Sequence, residues 1–410
     1  MPDLLLTNFA LLDVAAGELR SGHQVLVRGN RIAAVERGAI DAPGAQVLDL
    51  GGRTLMPGLI DCHVHMAPGA VLNQPKLPLS FVAARGVMWM REMVSRGFTT
   101  ARDAGGADVG YRKAVEARIS VGPRLFVAGR AISQTGGHGD KRWPSEPGCN
   151  CFCGESMASM SRIADGVPEC RKAVRDELRM GANHIKVMAG GGVSSPSDSL
   201  SHLQYSDEEL LAIVDEAARQ NTYCMAHVYT APGIRRAVEL GIRTIEHGNF
   251  LDDETAGVMA ARGAFLVPTL VTYRVDGANG AKIGFTEEVI RKNDEVLEAG
   301  TRSLAIAARA GVKIAYGTDL AYSSKVHQPE EFLVRAEVQK PADILRSATL
   351  VGAEVLNMAG KLGVVAPGAF ADLLAVDGNP LEDLGVLQQE GAAMAVILKD
   401  GAFIKNTLAA

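Results

Sequence analysis

The chain has 410 residues, of which 47% are hydrophobic and 22% charged, with a formal net charge of −5. Such a length exceeds one small core and suits a barrel of roughly 250 residues plus a smaller module. Mild acidity argues against nucleic acid or an anionic membrane as the main partner, and six cysteines are too few for a disulfide scaffold.

The start, Met1-Pro2-Asp3-Leu4-Leu5-Leu6, lacks the basic residues and longer apolar run of a secretory signal. No apolar run approaches the roughly 20 residues that span a bilayer, so the expected location is the cytoplasm. Short β-prone runs follow at 4–6, 24–27, 31–35 and 46–50, separated by Gly, Asn or Asp, with Arg28-Gly29-Asn30-Arg31 as a hairpin turn. The last stretch is similar, with strand-like runs at 371–376 and 393–398 and a turn at Lys399-Asp400-Gly401. Both ends are thus expected to build one β-sandwich from residues 1–56 and 361–410, into which residues 57–360 are inserted.

The inserted part alternates apolar strands with helical patterns. Strands are expected at 59–65, 98–103, 124–129, 183–188, 223–228, 243–247, 264–268 and 313–318. Between them lie helices such as 206–218, where Ser206 and Glu209 have the spacing of a capping box. Eight strand–helix repeats predict an α/β fold of the closed (β/α)8 TIM-barrel type. An open doubly wound sheet is the rival, weakened because no Gly-x-Gly-x-x-Gly follows the first of these strands. Gly190-Gly191-Gly192 lacks a phosphate-loop Lys-Ser/Thr and reads as a tight turn.

Chemistry concentrates where these strands end. In Asp61-Cys62-His63-Val64-His65, the two histidines share one side of a strand and aim two imidazoles at one point, a geometry that suits a divalent cation. Lys186 interrupts the apolar run Ile185-Lys186-Val187-Met188, while His227, His247 and Asp319 each close a predicted strand. Singly, these are a snorkelling lysine, satisfied core histidines and a helix-capping aspartate. Together they would gather at the mouth of a parallel barrel, where such folds place catalysis.

That series resembles the binuclear amidohydrolase superfamily, as do the flanking Met56-Pro57-Gly58-Leu59-Ile60-Asp61 and Gly368-Ala369-Phe370-Ala371-Asp372-Leu373. The resemblance runs over essentially the whole chain. It implies two divalent cations, expected to be zinc, with His63, His65 and Asp319 on the more buried ion and His227 and His247 on the other. It also implies that Lys186 carries a CO2-derived carbamate, whose two oxygens bridge both ions. In that scheme two ions about 3.5–4 Å apart generate a hydroxide near neutral pH, and Asp319 moves its proton to the leaving amine.

Two further residues address the substrate. His138, in Gly136-Gly137-His138-Gly139-Asp140, sits between glycines that let a backbone approach a ligand, and is read as a donor to a substrate oxygen or as a loop histidine facing water. Tyr229, two residues after His227, offers a hydroxyl to the same mouth or packs as a rim aromatic. These motifs are similar to the prolidase-like branch, which includes dipeptidases, carboxypeptidase-like enzymes and ochratoxinase. The branch implies a small-molecule substrate with an amide bond and a free carboxylate, such as a dipeptide, an N-acyl amino acid or ochratoxin A. It also implies contacts from His138 and Tyr229 and a homo-oligomer, up to an octamer. A cyclic-amide hydrolase of imidazolone or hydantoin type and a non-catalytic barrel scaffold are the competing readings. Cys149, Cys151 and Cys153 are read as incidental thiols on a long substrate loop.

Overall fold

The computed structural model describes residues 2–67, 77–142, 160–194, 198–280, 285–320 and 322–408. The cysteine-rich stretch around Cys149, Cys151 and Cys153 lies outside them. Among the described residues no helix is long and apolar enough to cross a membrane.

The N-terminal segment forms β1 (Leu4–Asp13), β2 (Glu18–Arg20), β3 (His23–Arg28), β4 (Arg31–Arg37) and β5 (Gln46–Pro57). Arg28 pairs directly with Arg31, which makes the expected two-residue hairpin of Gly29-Asn30. The insertion then supplies β6 (Leu59–Val64), β7 (Phe98–Asp103), β8 (Arg124–Phe126), β9 (Ala131–Ser133) and β10 (Ser161–Ile163). It continues with β11 (Ile185–Met188), β12 (Cys224–Thr230), β13 (Thr244–Phe250), β14 (Phe265–Val267) and β15 (Lys313–Ile314). The C-terminal segment adds β16 (Leu373–Val376), β17 (Met394–Lys399) and β18 (Ala402–Asn406).

The inserted strands make the TIM-barrel-like α/β fold. Every pairing from β9 through β11, β12, β13 and β14 to β15 is parallel, as are β6–β7 and β7–β8. A few backbone bonds join the two arcs. Asn183 N donates to Val127 O at 2.7 Å on one side, and Cys62 N donates to Tyr316 O at 2.8 Å on the other. The expected strand 313–318 keeps regular pairing only over Lys313–Ile314, because the residues after it turn to bond β6 and the following helices instead.

Helices cover this ring: α1 (Leu79–Ser95), α2 (Val109–Glu116), α3 (Gly166–Arg179), α4 (Asp207–Arg219), α5 (Ala231–Glu239), α6 (Asp253–Arg262), α7 (Leu270–Asn279), α8 (Glu287–Arg309) and α9 (Glu330–Ala336). At α4 the capping box forms as expected, with Ser206 Oγ accepting from Glu209 N and Glu209 accepting from Ser206 N at 2.7 Å. Ile185, Val187, Ala226, Val228, Ile245 and Leu266 face this layer and are buried with Leu210, Ile213 and Ile234. Burying such side chains contributes about 1.5–3 kcal/mol each.

Both chain ends join one eight-stranded sheet, in the order β18-β17-β16-β5-β1-β3-β4 with β2 on β1. This sheet folds back on itself, since Ile32 N donates to Ala369 O and Gly368 N to Ile32 O, just before β16. Its inner face buries Leu6, Val25, Ile32, Leu50, Leu373 and Leu398. A second cluster, including Met56, Leu374 and Ile397 from the sheet with Leu59, Phe98 and Phe332, fixes the sheet against the barrel.

Candidate metal centre

β6 delivers the first two imidazoles to the C-terminal mouth of the barrel. His63 O accepts from the backbone N–H of Asp319 at 2.8 Å, so the end of the last barrel segment lies over the first strand. Asp319 Oδ1 is then 3.5 Å from His63 Nε2 and 3.1 Å from His65 Nε2. The ligand atoms of His63, His65 and Asp319 all fall within 4.8 Å of one another, a spacing that one metal ion could bridge.

The other expected residues converge on the same point. Ring centroids are 5.0 Å apart for His63 and His247, and 4.6 Å apart for His247 and His227. Lys186 is 1% exposed, and its amine is close enough to act electrostatically on His63, His227, His247 and Asp319. Side chains from the end of β6, from β12 and β13 and from the segment after β15 therefore cluster at one mouth, with the buried Lys186 of β11 acting on them by its charge.

Their protonation suits cation binding. One nitrogen of each histidine is tied to an oxygen: His63 Nδ1 to Glu246 at 2.7 Å, His65 Nδ1 to Gly105 O at 2.8 Å, and His247 Nδ1 to Thr269 Oγ1 at 2.8 Å. His227 uses Nε2, 3.2 Å from Gly191 O. The opposite nitrogen of each ring is left for the pocket, as in metal sites whose ligand histidines are oriented by outer partners. Burial, reinforced by the Lys186 amine, pushes His63 down to about 4, and burial drives His227 and His247 well below the usual imidazole range. All three are therefore neutral ligands at pH 7.

Burial also pushes the Lys186 amine down to about 8, although Glu246 and Asp319 oppose that shift. For Asp319, burial disfavours the charge. The His63 and His65 imidazoles and the Lys186 amine nevertheless hold its carboxyl below the usual carboxylate range. The donor set therefore fits divalent cations: neutral imidazoles, an ionised carboxylate and an amine that can lose its proton.

The backbone turns these groups inward. Thr244 and Glu246 point into the barrel, so strict alternation would send His247 to the helix layer. His247 instead takes φ +74°, which breaks the alternation. Thr269 (φ +50°) and Asp319 (φ +52°) are likewise left-handed at this mouth. Such strain costs about 1–3 kcal/mol per residue and persists where the surroundings fix it.

Sequence reasoning missed the support beneath the ligands. Glu246 and Arg102 are fully buried and pair at 2.8 Å. Arg102 also donates to Cys62 O at 2.7 Å and Thr244 Oγ1 at 3.0 Å, while Thr244 Oγ1 donates to Glu246 Oε1 at 2.6 Å. Burial opposes the Glu246 charge, but Arg102 and His63 bring its carboxyl to about 2. An ionised Glu246 thus accepts the His63 Nδ1 proton and aims Nε2 at Asp319. The available signal was the alternation of polar Thr244 and Glu246 about the apolar Ile245 at the start of β13.

His138 lies against the centre, its ring stacked on His227 at 4.2 Å and 8°. The triple glycine is no tight turn: Gly190 bridges Leu203 and the turn comes only at 193–194. Its reason is close approach, because a Cβ on Gly192 would sit 2.1–2.7 Å from the His138 ring. Room beside Gly137 and Gly139 is likewise used by Gln204, Ser133 and Ser161 rather than by a ligand. Tyr229 stacks on His247 at 5.2 Å and shares a 3.0 Å hydrogen bond with the hydroxyl of Tyr273, a second phenol that the sequence did not single out. His184 is fully buried below this layer, its Nε2 3.1 Å from Asp103 O. His327 pairs with Glu330 at 2.6 Å.

Comparison with known proteins places this geometry. The model of the amidohydrolase family matches residues 54–404. The ochratoxinase of Aspergillus niger is 35% identical over 365 residues, covering 86% of this chain and 76% of that protein. A solved prolidase complexed with N-methylphosphonate-L-proline superposes with a TM-score of 0.95 at 47% identity, covering 98% of this chain and all of that one. A solved Xaa-Pro dipeptidase with bound methionine reaches 0.88 at 30% identity, over 98% and 99% of the two chains.

Proposed function

This chain belongs to the amidohydrolase family and is a hydrolase of amide bonds, and from that premise we propose that it is a binuclear metallopeptidase releasing a C-terminal amino acid. Its substrates on this reading are dipeptides and N-acyl amino acids, with ochratoxin A among them. Support comes from the names of its relatives: a prolidase bound to a phosphonate of proline, an Xaa-Pro dipeptidase and an ochratoxinase.

The observation that carries the proposal is the convergence of His63, His65 and Asp319 within 4.8 Å, with His227, His247 and Lys186 beside them. His63, His65 and Asp319 would hold one ion, His227 and His247 the second, and a carbamate on Lys186 would bridge them. A bound pair of divalent cations, most simply zinc, would supply activation of a water near neutral pH and polarisation of the scissile carbonyl. Lys186 suits carbamate formation because its burial favours the neutral amine that reacts with CO2. Asp319, ionised and aimed at the cluster, takes the proton of the attacking water and delivers it to the leaving nitrogen, which departs as an amine. His138 and Tyr229 flank His227 and His247 and bind the substrate oxygens.

Two architectural readings go with this function. The barrel occupies 57–360, and residues 1–56 with 361–410 make a composite β-sandwich, supported by the fold-back of the eight-stranded sheet onto residues 368–371. The enzyme assembles as a homo-oligomer, up to an octamer, supported by the exposed apolar Leu79, Phe81, Val87 and Met88 on α1.

The test is a screen of zinc-loaded protein against Xaa-Pro and other dipeptides, N-acyl amino acids, ochratoxin A and cyclic amides. Release of a free C-terminal amino acid supports the reading. Turnover confined to hydantoins or imidazolones overturns it.

A further inference from the structure

Around His138, Asp198 links the triple glycine and Gln204 through its carboxylate, and α8 through its main-chain carbonyl. Asp198 is 6% exposed and lies between the triple glycine and α4. One of its oxygens accepts from Gly192 N at 3.3 Å, and the other from the Gln204 side-chain amide at 2.9 Å. Gln204, 2% exposed, in turn accepts from the backbone N–H of His138 at 2.9 Å. The Asp198 carbonyl accepts from the buried Lys292 ammonium of α8 at 2.9 Å.

The same carboxylate faces the ring it indirectly holds. Asp198 Oδ2 is 3.7 Å from His138 Nδ1, beyond a normal hydrogen bond, and among the described residues that buried nitrogen has no hydrogen-bond partner. Gly192, held by Asp198, is also the residue whose missing Cβ leaves space for the ring. Removal of Asp198 would therefore release Gly192 beneath the ring, the Gln204 amide that holds the His138 backbone, and a carboxylate facing the ring together.

We propose that Asp198 is the positioning residue of His138, its carboxylate fixing the imidazole against His227 through Gly192 and Gln204. The proposal rests on the reading of His138 as a substrate-binding group, since only then does its placement affect turnover. Lys292 belongs to the same device, locking the Asp198 main chain to α8. None of these three contacts reaches the metal ligands directly.

The experiment is a double-mutant cycle on the zinc-loaded protein, with kcat/KM read on a hydrolysed Xaa-Pro dipeptide, beside a crystal structure of Asp198→Ala. His138→Gln and Asp198→Ala should each lower kcat/KM by about tenfold or more, and combining them should add less than about twofold, because both remove one function. Asp198→Asn, which keeps an acceptor oxygen, should recover part of the loss. The Asp198→Ala crystal should show the His138 ring displaced from His227. Should Asp198→Ala fail to fold, Gln204→Leu cuts the link to the His138 N–H and should show the same non-additivity. Full additivity, or a ring still stacked on His227, overturns the proposal. If His138→Gln leaves kcat/KM unchanged, the role given to His138 is what fails, and the crystal still decides whether Asp198 places the ring.

Discussion

At the scale of single residues, function depends on atoms held within a few tenths of an ångström. Asp319 is both a candidate ligand and the proton carrier, so Asp319→Asn should lower kcat by about 10²–10⁴-fold. Steady-state assay at fixed zinc checks it, and retention of more than about a tenth of the rate would contradict the role. Gly192→Ala tests geometry without touching a ligand. The new Cβ would collide with the His138 ring, and a misplacement of about 1 Å can cost about 10²-fold. The expected result is a large loss in kcat/KM with metal content unchanged.

The candidate ligands were legible because each stands within or at the end of a predicted apolar strand, where a polar side chain stands out. Glu246 and Arg102 were not, since their meaning depends on meeting across the barrel interior, 144 residues apart. Asp198 was hidden for the same reason: it lies 60 residues beyond His138 and reaches it through Gln204.

At the scale of elements, the sequence pattern located strands better than it measured them. The run 98–103 is a strand over its full length, while the expected 124–129 is one only over Arg124–Phe126, and a separate strand, Ala131–Ser133, follows it. Hydrophobicity marks the core segment, but the partner's register decides how much of it pairs. β18 was overlooked, although its turn was visible: Asp400 (φ +50°) and Gly401 (φ +72°) make the mirror-image two-residue hairpin that favours Asp-Gly.

Helix α9 carries a group with a pH signature. Burial pushes the Glu331 carboxyl up to about 8, against the opposing pull of Arg335, while its Oε2 accepts from Val271 N at 2.7 Å. In the unfolded chain this group titrates near 4.5. The folded state therefore binds the extra proton between those values, so the stabilisation is complete below the unfolded value and is lost as pH rises through about 8. Glu331→Gln removes the titration. Melting curves at pH 6 and 9 should show a smaller alkaline drop for the variant than for the parent, and equal drops would contradict the assignment.

At the scale of the whole molecule, the barrel gathers at one mouth groups that lie between residues 63 and 319, and the sheet from both chain ends is packed against its flank. The apolar cluster containing Met56, Leu374, Ile397 and Phe332 makes that attachment. Fold and ligand pattern were readable because a parallel barrel enforces strand order. Substrate class was less so, because the pocket wall comes from loops whose contacts follow no period.

The most direct test is metal content measured beside turnover for the parent protein and Lys186→Ala, both prepared in zinc and bicarbonate. The account predicts close to two zinc ions per chain and peptide hydrolysis for the parent. It predicts loss of at least one ion and nearly all turnover for the variant. A Lys186→Ala protein that keeps two ions and the parent rate would contradict it.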